Sequence, residues 1–442
     1  MRALTARVGW VVAIQLVVAA LAFVGGTRWG RARMRPPPTR PVATSAGGAS
    51  RPAARPPSPA ALPPAGEFER GTGLIVGCNE LVRYHPEVFA GMVRSLPSSL
   101  PVIGLVGSRD ELDILRRALE KRGLAARPVN CLLLPINSMW VRDYGPLFVR
   151  RADGSVVVAD PEYSEVDSAG DRPQDDDMPR HLARLLRLPA VALPLRLEGG
   201  NLLSNGDGLA VTTTALIARN ADRGYDVRAI GRILADRLGF RSWTYVRQLV
   251  GEPTGHVDMF VAFLAPNVAV VGRLDPAVDA ENAEILDDAA RLLDGAPTSR
   301  GPVKVHRIPM PPVRDGEWRS YTNIVLAGGT VLVPTFSDVD AATQNEALDL
   351  YARLLPGWKV KGVCADSMSE KRGLLHCVTI NVPRYVSLAP LLGQPAGPDP
   401  GAADEEADEI ERLLRQVGAS DDGEGPAGEP PLLRVSPPAG GR

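Results

Sequence analysis

The stretch Arg372–Pro383, which reads RGLLHCVTINVP, places a single cysteine between a glycine and a β-branched run. Such a run is typical of a β-strand, and Cys377 stands at the entrance of that strand. A rigid strand behind a thiol can present it to a pocket. The signal is weak by itself, because most cysteines of this kind are small buried core residues. The other motifs of the chain therefore decide how Cys377 is interpreted.

Three further stretches place acidic or histidine residues beside glycine or proline at the edge of an apolar run. They are WVRDYGP at 140–146, EGGN at 198–201 and GHVD at 255–258. A rigid scaffold holds catalytic groups at edges of this kind. His256 and Asp258 are two residues apart, so a strand would project both side chains to one face. His376 would point to the opposite face from Cys377 on its strand and is interpreted as structural.

The polar residues of these stretches form a chemically coherent set. Its members are Asp143, Glu198, His256, Asp258 and Cys377. Carboxylates that converge on one pocket repel one another unless the ligand is a cation, and a planar guanidinium matches them with paired N–H groups. A bound guanidinium lowers the pKa of a nearby thiol, which can then attack the guanidinium carbon. A histidine can protonate the departing amine and later activate water.

Composition excludes several other classes of function. The chain has 442 residues and a formal net charge of −1, without the basic excess that a nucleic-acid partner requires. Its four cysteines lack the spacing of a zinc site, and no HExxH stretch is present, so no metal is expected. No P-loop and no GxGxxG after a strand occurs, so no cofactor is expected either.

The N-terminus carries a hydrophobic segment. Residues 8–27 contain no charge and are bracketed by Arg7 and Arg28. Twenty apolar residues just span a bilayer, but the same stretch also resembles a signal peptide with a cleavage site at Ala20-Leu21-Ala22. We interpret residues 1–34 as a signal anchor or signal peptide. The segment predicts a membrane-anchored protein or one exported to the cell envelope, with the orientation left open.

The rest of the chain divides by composition. Residues 35–66 are rich in proline and alanine and predict a disordered linker, and residues 393–442 predict a disordered tail. Between them, residues 67–392 alternate short β runs with helical patterns. Predicted strands lie at 74–76, 102–106, 147–149, 156–158, 193–197, 209–213, 257–264, 268–271, 303–308 and 358–363, and two more lie within 323–333 and turn at Gly328-Gly329. Predicted helices lie at 111–121, 222–238, 276–293 and 341–355. Recurring strand, hairpin and helix units favour a compact α/β domain with radial symmetry.

The motifs WVRDYGP, EGGN, GHVD and HCVT, in this order, resemble the guanidino-modifying (pentein) superfamily. Within it they are most similar to the bacterial-type peptidylarginine deiminase family, which includes the agmatine deiminases. The resemblance covers roughly Gly71–Arg384 and is specific because the four motifs keep their order. It implies a five-bladed α/β propeller with pseudo-fivefold symmetry and an active site on the central axis.

The resemblance also implies roles for individual residues. Cys377 would be the nucleophile and His256 the general acid and base, with Glu198 near the histidine and the guanidino group. Asp143 and Asp258 would bind the guanidinium, and Asn323 would contact the substrate beyond it. Trp140 is a candidate wall of the substrate pocket.

The expected activity is hydrolysis of a guanidino group to a ureido group with release of ammonia. The substrate stays open between an agmatine-like small guanidine, free arginine and arginine in a protein, because the lead EKRGLLH before the cysteine differs from the glycine-rich lead usual in agmatine deiminases. An amidinotransferase and a non-catalytic, envelope-tethered guanidine-binding protein are the alternatives. The oligomeric state cannot be inferred from the sequence.

Overall fold

The computed structural model describes residues 59–125, 127, 129–163 and 172–392, together with the backbone of 432–434. These residues lie in one compact unit, Ser58–Arg442. The predicted N-terminal segment 1–34 and most of the predicted linker and tail fall outside the described residues. Within the described part of the chain, every helix is too short or too polar to cross a lipid bilayer.

Five small β-sheets make up the described strands, and four of the sheets share one pattern. Each begins with an antiparallel hairpin, continues through a helical connection, and ends with a strand parallel to the second hairpin strand. The four sheets are β4 (Leu147–Arg150), β5 (Val156–Glu162) and β6 (Ala190–Arg196); β7 (Leu203–Ser204), β8 (Leu209–Thr213) and β9 (Ser242–Val246); β10 (Val261–Ala265), β11 (Val268–Arg273) and β12 (Lys304–Pro309); β13 (Val325–Ala327), β14 (Thr330–Thr335) and β15 (Lys359–Cys364).

The fifth sheet joins the two ends of the folded segment. Its order is β16 (Thr379–Val382), β1 (Gly73–Gly77), β2 (Val102–Val106), β3 (Val129–Leu133) and β17 (Leu432–Arg434). β16 is antiparallel to β1, with Ile75 opposite Ile380, while β1, β2 and β3 run parallel. The cysteine-containing turn that precedes β16 is therefore fixed next to the first strand of the domain.

Helices connect the strands and pack on the sheets. They are α1 (Asn79–Tyr84), α2 (Pro86–Ser95), α3 (Arg109–Lys121), α4 (Val141–Tyr144), α5 (Pro173–Leu185), α6 (Ala215–Arg219), α7 (Val227–Leu238), α8 (Ala280–Leu293), α9 (Ala341–Leu354) and α10 (Asp366–Ser369). Local capping defines several starts, because the side chains of Ser108, Asp226 and Asp340 each accept a hydrogen bond from the backbone N–H three residues on. The mixed α/β class predicted from the sequence is confirmed.

Two predicted helix starts are wrong, and the first is that of the helix predicted at 222–238, which begins only at Val227 after its N-cap Asp226. The sequence places Pro276 at the first position of a helix, but α8 begins at Ala280. Asp279 is the N-cap, and its side chain accepts from the N–H of Asn282. The preceding residues instead form a turn in which the N–H groups of Val278 and Asp279 donate to the carbonyl of Asp275. An aspartate cap thus overrides the proline signal.

The central strands explain where the core lies. Every residue of β1, β2 and β3 is buried, as expected for parallel strands covered on both faces. Ile75, Ile103 and Leu105 are among the largest side chains that are fully buried. Burial of such a side chain contributes about 1.5–3 kcal/mol, so these strands form a rigid base for the loops at their ends.

Residues 59–70, which we call the N-terminal strap, lie against the body. Ala61 forms a β-bridge with Arg151, and the N–H of Leu62 donates to the carbonyl of Arg150 over 2.8 Å. The hydroxyl of Ser204 donates to the carbonyl of Pro64 over 2.8 Å. The strap therefore contacts two sheets before it enters β1.

Candidate active site

The sequence motifs meet at one cavity of about 100 Å³. Its lining residues are Trp140, Asp143, Tyr163, Arg172, Glu198, Pro253, Thr254, His256, Met259, Lys371, Arg372 and Cys377. The polar site residues reach this region from separate connections, each a few residues before the edge strand of a different sheet. These pairs are Asp143 and β4, Glu198 and β7, Asp258 and β10, Asn323 and β13, and Cys377 and β16.

Cys377 lies in the turn before β16 and is almost fully buried. Its Sγ lies 3.4 Å from Nδ2 of Asn323 and 3.9 Å from Oδ2 of Asp258. Burial raises the pKa of the thiol well above its usual value, and the charges of Asp258 and Asp143 raise it further, while the hydrogen bond from Asn323 opposes them. The thiol therefore needs a nearby cation to ionise at neutral pH.

His256 lies between two carboxylates. Its Nε2 is 3.3 Å from Oε2 of Glu198, and its Nδ1 is 3.5 Å from Oδ1 of Asp143. Burial raises the pKa of Asp143, His256 lowers it, and the charge of Asp258 raises it again. Oε2 of Glu198 also contacts the guanidinium of Arg219. Arg219 thus shares the negative charge of Glu198 with the histidine.

Two buried carboxylate oxygens of the site have no hydrogen-bond partner among the described residues. They are Oδ1 of Asp258 and Oε1 of Glu198. A buried acceptor without a donor costs about 1–3 kcal/mol, and more when it is charged. A ligand with several N–H donors and a positive charge would satisfy both oxygens, as a guanidinium does.

Gly199 and Gly200 of the EGGN motif lie so close to the site residues that a side chain at either position would contact them. A Cβ on Gly200 would lie 2.7 Å from Oδ1 of Asp143, 2.7 Å from Nδ1 of His256 and 3.1 Å from Oδ2 of Asp258. A Cβ on Gly199 would overlap the carbonyl oxygen of Arg142. Any side chain at Gly200 would therefore enter the space that the two carboxylates and the imidazole enclose.

The remaining predicted site residues lie beside the cysteine. Asn323 is fully buried, and its Oδ1 accepts from the N–H of His376 while its Nδ2 faces Sγ of Cys377. Trp140 lines the cavity, and its ring lies where a side chain on Gly373 would be. Asn323 thus contacts both the thiol of Cys377 and the turn that contains Cys377. The predicted roles of Asn323 and Trp140 in substrate binding remain predictions.

Two local interpretations from the sequence are wrong. His256 and Asp258 do not lie on a strand, because Val257–Met259 forms a single 3-10 turn. Residues 375–378 form a turn as well, so His376 does not point away from the site as a strand would require. Nδ1 of His376 lies 2.7 Å from Oδ2 of Asp258, and its Nε2 lies 2.8 Å from Oε2 of Glu67.

Sequence analysis missed His376 and Glu67 for different reasons. The position of His376 beside the cysteine was a usable signal that the strand interpretation discarded. Glu67 had no local signal, because its partner His376 is 309 positions away. Within the described residues, no group of three or more His, Cys, Asp or Glu side chains is arranged to hold a metal ion.

The fold and the site together define an α/β protein in which a buried thiol, an imidazole and the carboxylates of Asp143 and Glu198 line one cavity, with Asp258 3.9 Å from the thiol. A family model of Porphyromonas-type peptidyl-arginine deiminases matches residues 78–383. The chain belongs to this family, as the order of its motifs indicated.

Individual relatives agree with this assignment. A provisionally named agmatine deiminase of Streptomyces coelicolor is 27% identical over 285 residues, which cover 61% of this chain and 82% of the relative. One of Yersinia pseudotuberculosis, also provisionally named, is 24% identical over 291 residues, which cover 59% and 79%.

Solved structures show the same fold. The agmatine deiminase of Enterococcus faecalis superposes with a TM-score of 0.62 at 21% identity, covering 74% of this chain and 98% of that one. The agmatine deiminase of C. jejuni with substrate bound gives a TM-score of 0.61 at 16% identity, covering 72% and 96%. At these identities the likeness establishes the fold alone.

Proposed function

We propose that this protein hydrolyses a guanidino group to a ureido group and releases ammonia. The observation that carries the proposal is the pair of buried, unpartnered carboxylate oxygens of Asp258 and Glu198, which lie in the same site as a buried thiol and an imidazole. Membership in the deiminase family and the names of the relatives support the same reaction.

Binding would precede ionisation of the thiol. Asp143 and Asp258 would accept N–H groups of the guanidinium, and Oε1 of Glu198 would accept a further one. Each charge-assisted bond would contribute about 1.5–3 kcal/mol. The bound cation would offset the two carboxylate charges that keep the Cys377 proton in place. The nucleophile would therefore form only when substrate is present.

The chemistry then proceeds in two halves. The thiolate of Cys377 attacks the guanidinium carbon, and protonated His256 gives its proton to the departing nitrogen, so ammonia leaves and a thiouronium remains on the sulfur. Neutral His256 next takes a proton from water, whose oxygen attacks the same carbon. As the carbon–sulfur bond breaks, the new hydroxyl group loses its proton to solvent, which releases the ureido product and the thiolate. The thiolate then regains from solvent the proton that Cys377 lost when substrate bound. Glu198, 3.3 Å from Nε2 of His256, would orient the ring and stabilise its charged form.

Turnover on purified full-length protein tests the proposal. We expect ammonia and a ureido product in equal amounts without any added amine, which separates hydrolysis from amidino transfer. Cys377→Ala should remove both products, and Cys364→Ala, which changes an exposed cysteine, should remove neither. Binding of guanidines without turnover would identify a guanidine-binding protein instead.

For the substrate we propose a small guanidine such as agmatine, on the strength of the relatives' names. The family description favours arginine in a peptide as the second candidate. The ratio of kcat/KM for agmatine to that for acetyl-arginine amide decides between them. A ratio well below one would make the protein a peptidylarginine deiminase.

We further propose that the five sheets are the blades of a propeller with pseudo-fivefold symmetry. Two observations support this arrangement. Four sheets share one strand pattern, and each of five site residues precedes the edge strand of a different sheet. A crystal structure would test it, and sheets that do not surround a common axis would contradict it.

The predicted domain limits and location are also proposals. We propose that residues 1–34 form a hydrophobic helix that anchors or exports the protein to the cell envelope, that 67–392 are the catalytic domain and that 393–442 are a tail. Of the predicted linker 35–66, we propose that only the part before the strap is a linker, because the strap contacts the body. Fractionation of cells with N-terminal sequencing of the mature protein tests the location. A soluble protein that retains Met1 would contradict it.

A further inference from the structure

A row of alternating charges runs behind the site. Nη1 of Arg142 lies 2.6 Å from Oε1 of Glu67, and the other carboxylate oxygen of Glu67 lies 2.8 Å from Nε2 of His376. Nδ1 of His376 lies 2.7 Å from Oδ2 of Asp258, which in turn is 3.9 Å from Sγ of Cys377. Glu67 belongs to the N-terminal strap, whereas Arg142 lies in α4 and the other members of the row lie in turns of the domain.

We propose that Glu67 and His376 are positioning residues that hold the charge and orientation of Asp258, and through it set the ionisation of Cys377. The effect that we expect on turnover rests on the proposed deiminase function. Neither residue lines the cavity that contains Cys377. Both line a second cavity of about 130 Å³ together with Asp258, so they would act on the thiol through Asp258.

The geometry requires His376 to carry both protons. Each ring nitrogen faces a carboxylate oxygen, so each must donate. Burial and the charge of Arg142 lower the pKa of His376, but Glu67 and Asp258 outweigh them and raise it above its ordinary value. Burial raises the pKa of Glu67, but Arg142 and His376 bring it down to about 2. At neutral pH the row therefore alternates in sign.

The alternation has a consequence for the thiol. The charged groups that face His376 are Glu67, Arg142 and Asp258, and those that face the thiol are Asp258 and Asp143. The imidazolium offsets the charge of Asp258 and occupies its Oδ2, which leaves Oδ1 for a ligand. Without Glu67, burial and Arg142 would favour loss of the His376 proton. Asp258 would then raise the pKa of the thiol without compensation.

The row also makes the site depend on the strap. Glu67 is mostly buried, with 27% of its side chain exposed. The turn that contains Glu67 is closed by a hydrogen bond of 2.9 Å from the N–H of Gly66 to Oε1 of Glu69, an acceptor that glutamine at position 69 would keep. Glu69 thus lies in the same segment, accepts a backbone hydrogen bond and takes no part in the row. It provides a matched control.

The experiment compares Glu67→Gln with Glu69→Gln in the full chain. Alkylation of Cys377 by iodoacetamide is followed over pH by mass spectrometry of its peptide, which separates it from the exposed Cys364. We expect Glu67→Gln to move the alkylation midpoint up by about one pH unit, which lowers the rate near pH 8 about tenfold. The profile of kcat/KM should shift with it, and Glu69→Gln should keep the wild-type profiles.

A double variant tests whether Glu67 acts through His376. We expect His376→Asn to shift the midpoint in the same direction, and Glu67→Gln to add no further shift in that background. Independent, additive shifts would overturn the proposal. An unchanged alkylation midpoint in Glu67→Gln would also overturn the proposal. If the melting temperature fell at the same time, the contact between Glu67 and His376 would be structural only.

The alkylation measurement needs no substrate, so the two proposals fail separately. A shifted midpoint in a protein that converts no guanidine supports the row and contradicts the deiminase function. Turnover of a guanidine together with an unshifted alkylation midpoint in Glu67→Gln supports the deiminase function and contradicts the proposed role of the row. If Glu67→Gln does not fold, Glu67→Asp replaces it, because it keeps the charge but shortens its reach to His376. It should shift the midpoint upward by a smaller amount, and no shift would overturn the proposal.

Discussion

At the scale of single residues, the carboxylates of the site favour a bound cation and disfavour ionisation of the thiol when no ligand is present. Sγ of Cys377 lies 3.9 Å from Oδ2 of Asp258, and this charge adds to burial in raising the pKa of the thiol. The same carboxylate presents a buried oxygen without a partner. The energetic cost of these negative charges is recovered only when a cation binds, which couples nucleophile formation to substrate.

Removing one charge should therefore affect binding and thiol reactivity in opposite directions. For Asp143→Asn we expect kcat/KM for the guanidine substrate to fall by the equivalent of about 1.5–3 kcal/mol, because one charge-assisted contact is lost. Alkylation of Cys377 in the free enzyme should become faster at a given pH, since the charge of Asp143 raises the pKa of the thiol. A slower alkylation together with lower kcat/KM would contradict this account of the charge.

The space at Gly200 gives a second prediction at this scale. For Gly200→Ala we expect at least a hundredfold loss of kcat/KM, on the order of 3 kcal/mol, because the added methyl would lie 2.7 Å from both Asp143 and His256. Gly272→Ala is the control, since its Cβ would meet no atom closer than 3.4 Å. Similar activity in both variants would show that the enclosed space is not where the substrate binds.

At the scale of elements, helix α5 holds the loop that leads into α4 and Asp143. The carboxylate of Asp175, at the start of α5, accepts from the N–H groups of Asn137 and Ser138 and from the hydroxyl of Ser138. Asn137 returns the contact by accepting from the N–H of Gln174 over 2.9 Å. The mutual capping of helix and loop is an example of local polar residues that position a catalytic segment.

Asp175 should also make stability depend on pH. Burial raises its pKa from 3.8 to about 6, although three hydrogen bonds oppose the shift. A folded pKa above the unfolded one contributes stability that is complete below pH 3.8 and is lost as pH rises through about 6. The free energy of unfolding of wild type relative to Asp175→Asn should fall by about 2 kcal/mol between pH near 4.5 and pH near 7.5. Urea unfolding at both pH values measures it, and a rise or no change would contradict the shift.

Elements with strong local signals could be predicted from the sequence. The hairpin around Asp153-Gly154 is present, with Gly154 at a φ of 87°, and α3 and α9 lie where periodicity placed them. The turns around the site could not be predicted, because distant partners fix them. The N–H of His376 donates to Asn323, and the N–H of Arg142 donates to the carbonyl of Cys377. A strand pattern in the sequence cannot anticipate such contacts.

At the scale of the whole molecule, the site depends on how the sheets and the ends of the domain are joined. The motifs identified which residues carry the chemistry, since each motif ends near the start of an edge strand. Their convergence from positions as far apart as Asp143 and Cys377 follows from the order of the sheets, which no local pattern contains. The contact between Glu67 of the strap and His376 could not be predicted either, because it joins residues 309 positions apart.

The strap should contribute measurably to stability. A fragment of residues 58–392 should be more stable than one of residues 67–392, because the shorter fragment lacks the hydrogen bonds of Leu62 and Pro64 to the body. At about 0.5–1.5 kcal/mol for each bond, the difference is on the order of 1–3 kcal/mol. Thermal or urea unfolding of the two fragments measures it. Equal stability would place residues 58–66 outside the folded domain.

The claim that Cys377 forms a covalent intermediate is tested most directly by trapping that intermediate. Full-length wild-type protein is mixed with agmatine or acetyl-arginine amide, quenched in acid during turnover and examined by mass spectrometry of the Cys377 peptide. The mechanism predicts an adduct on Cys377 whose mass is that of the substrate less ammonia, because the carbon stays bonded to sulfur until water attacks it. An unmodified Cys377 in a protein whose Cys377→Ala variant still releases ammonia at the wild-type rate would contradict it.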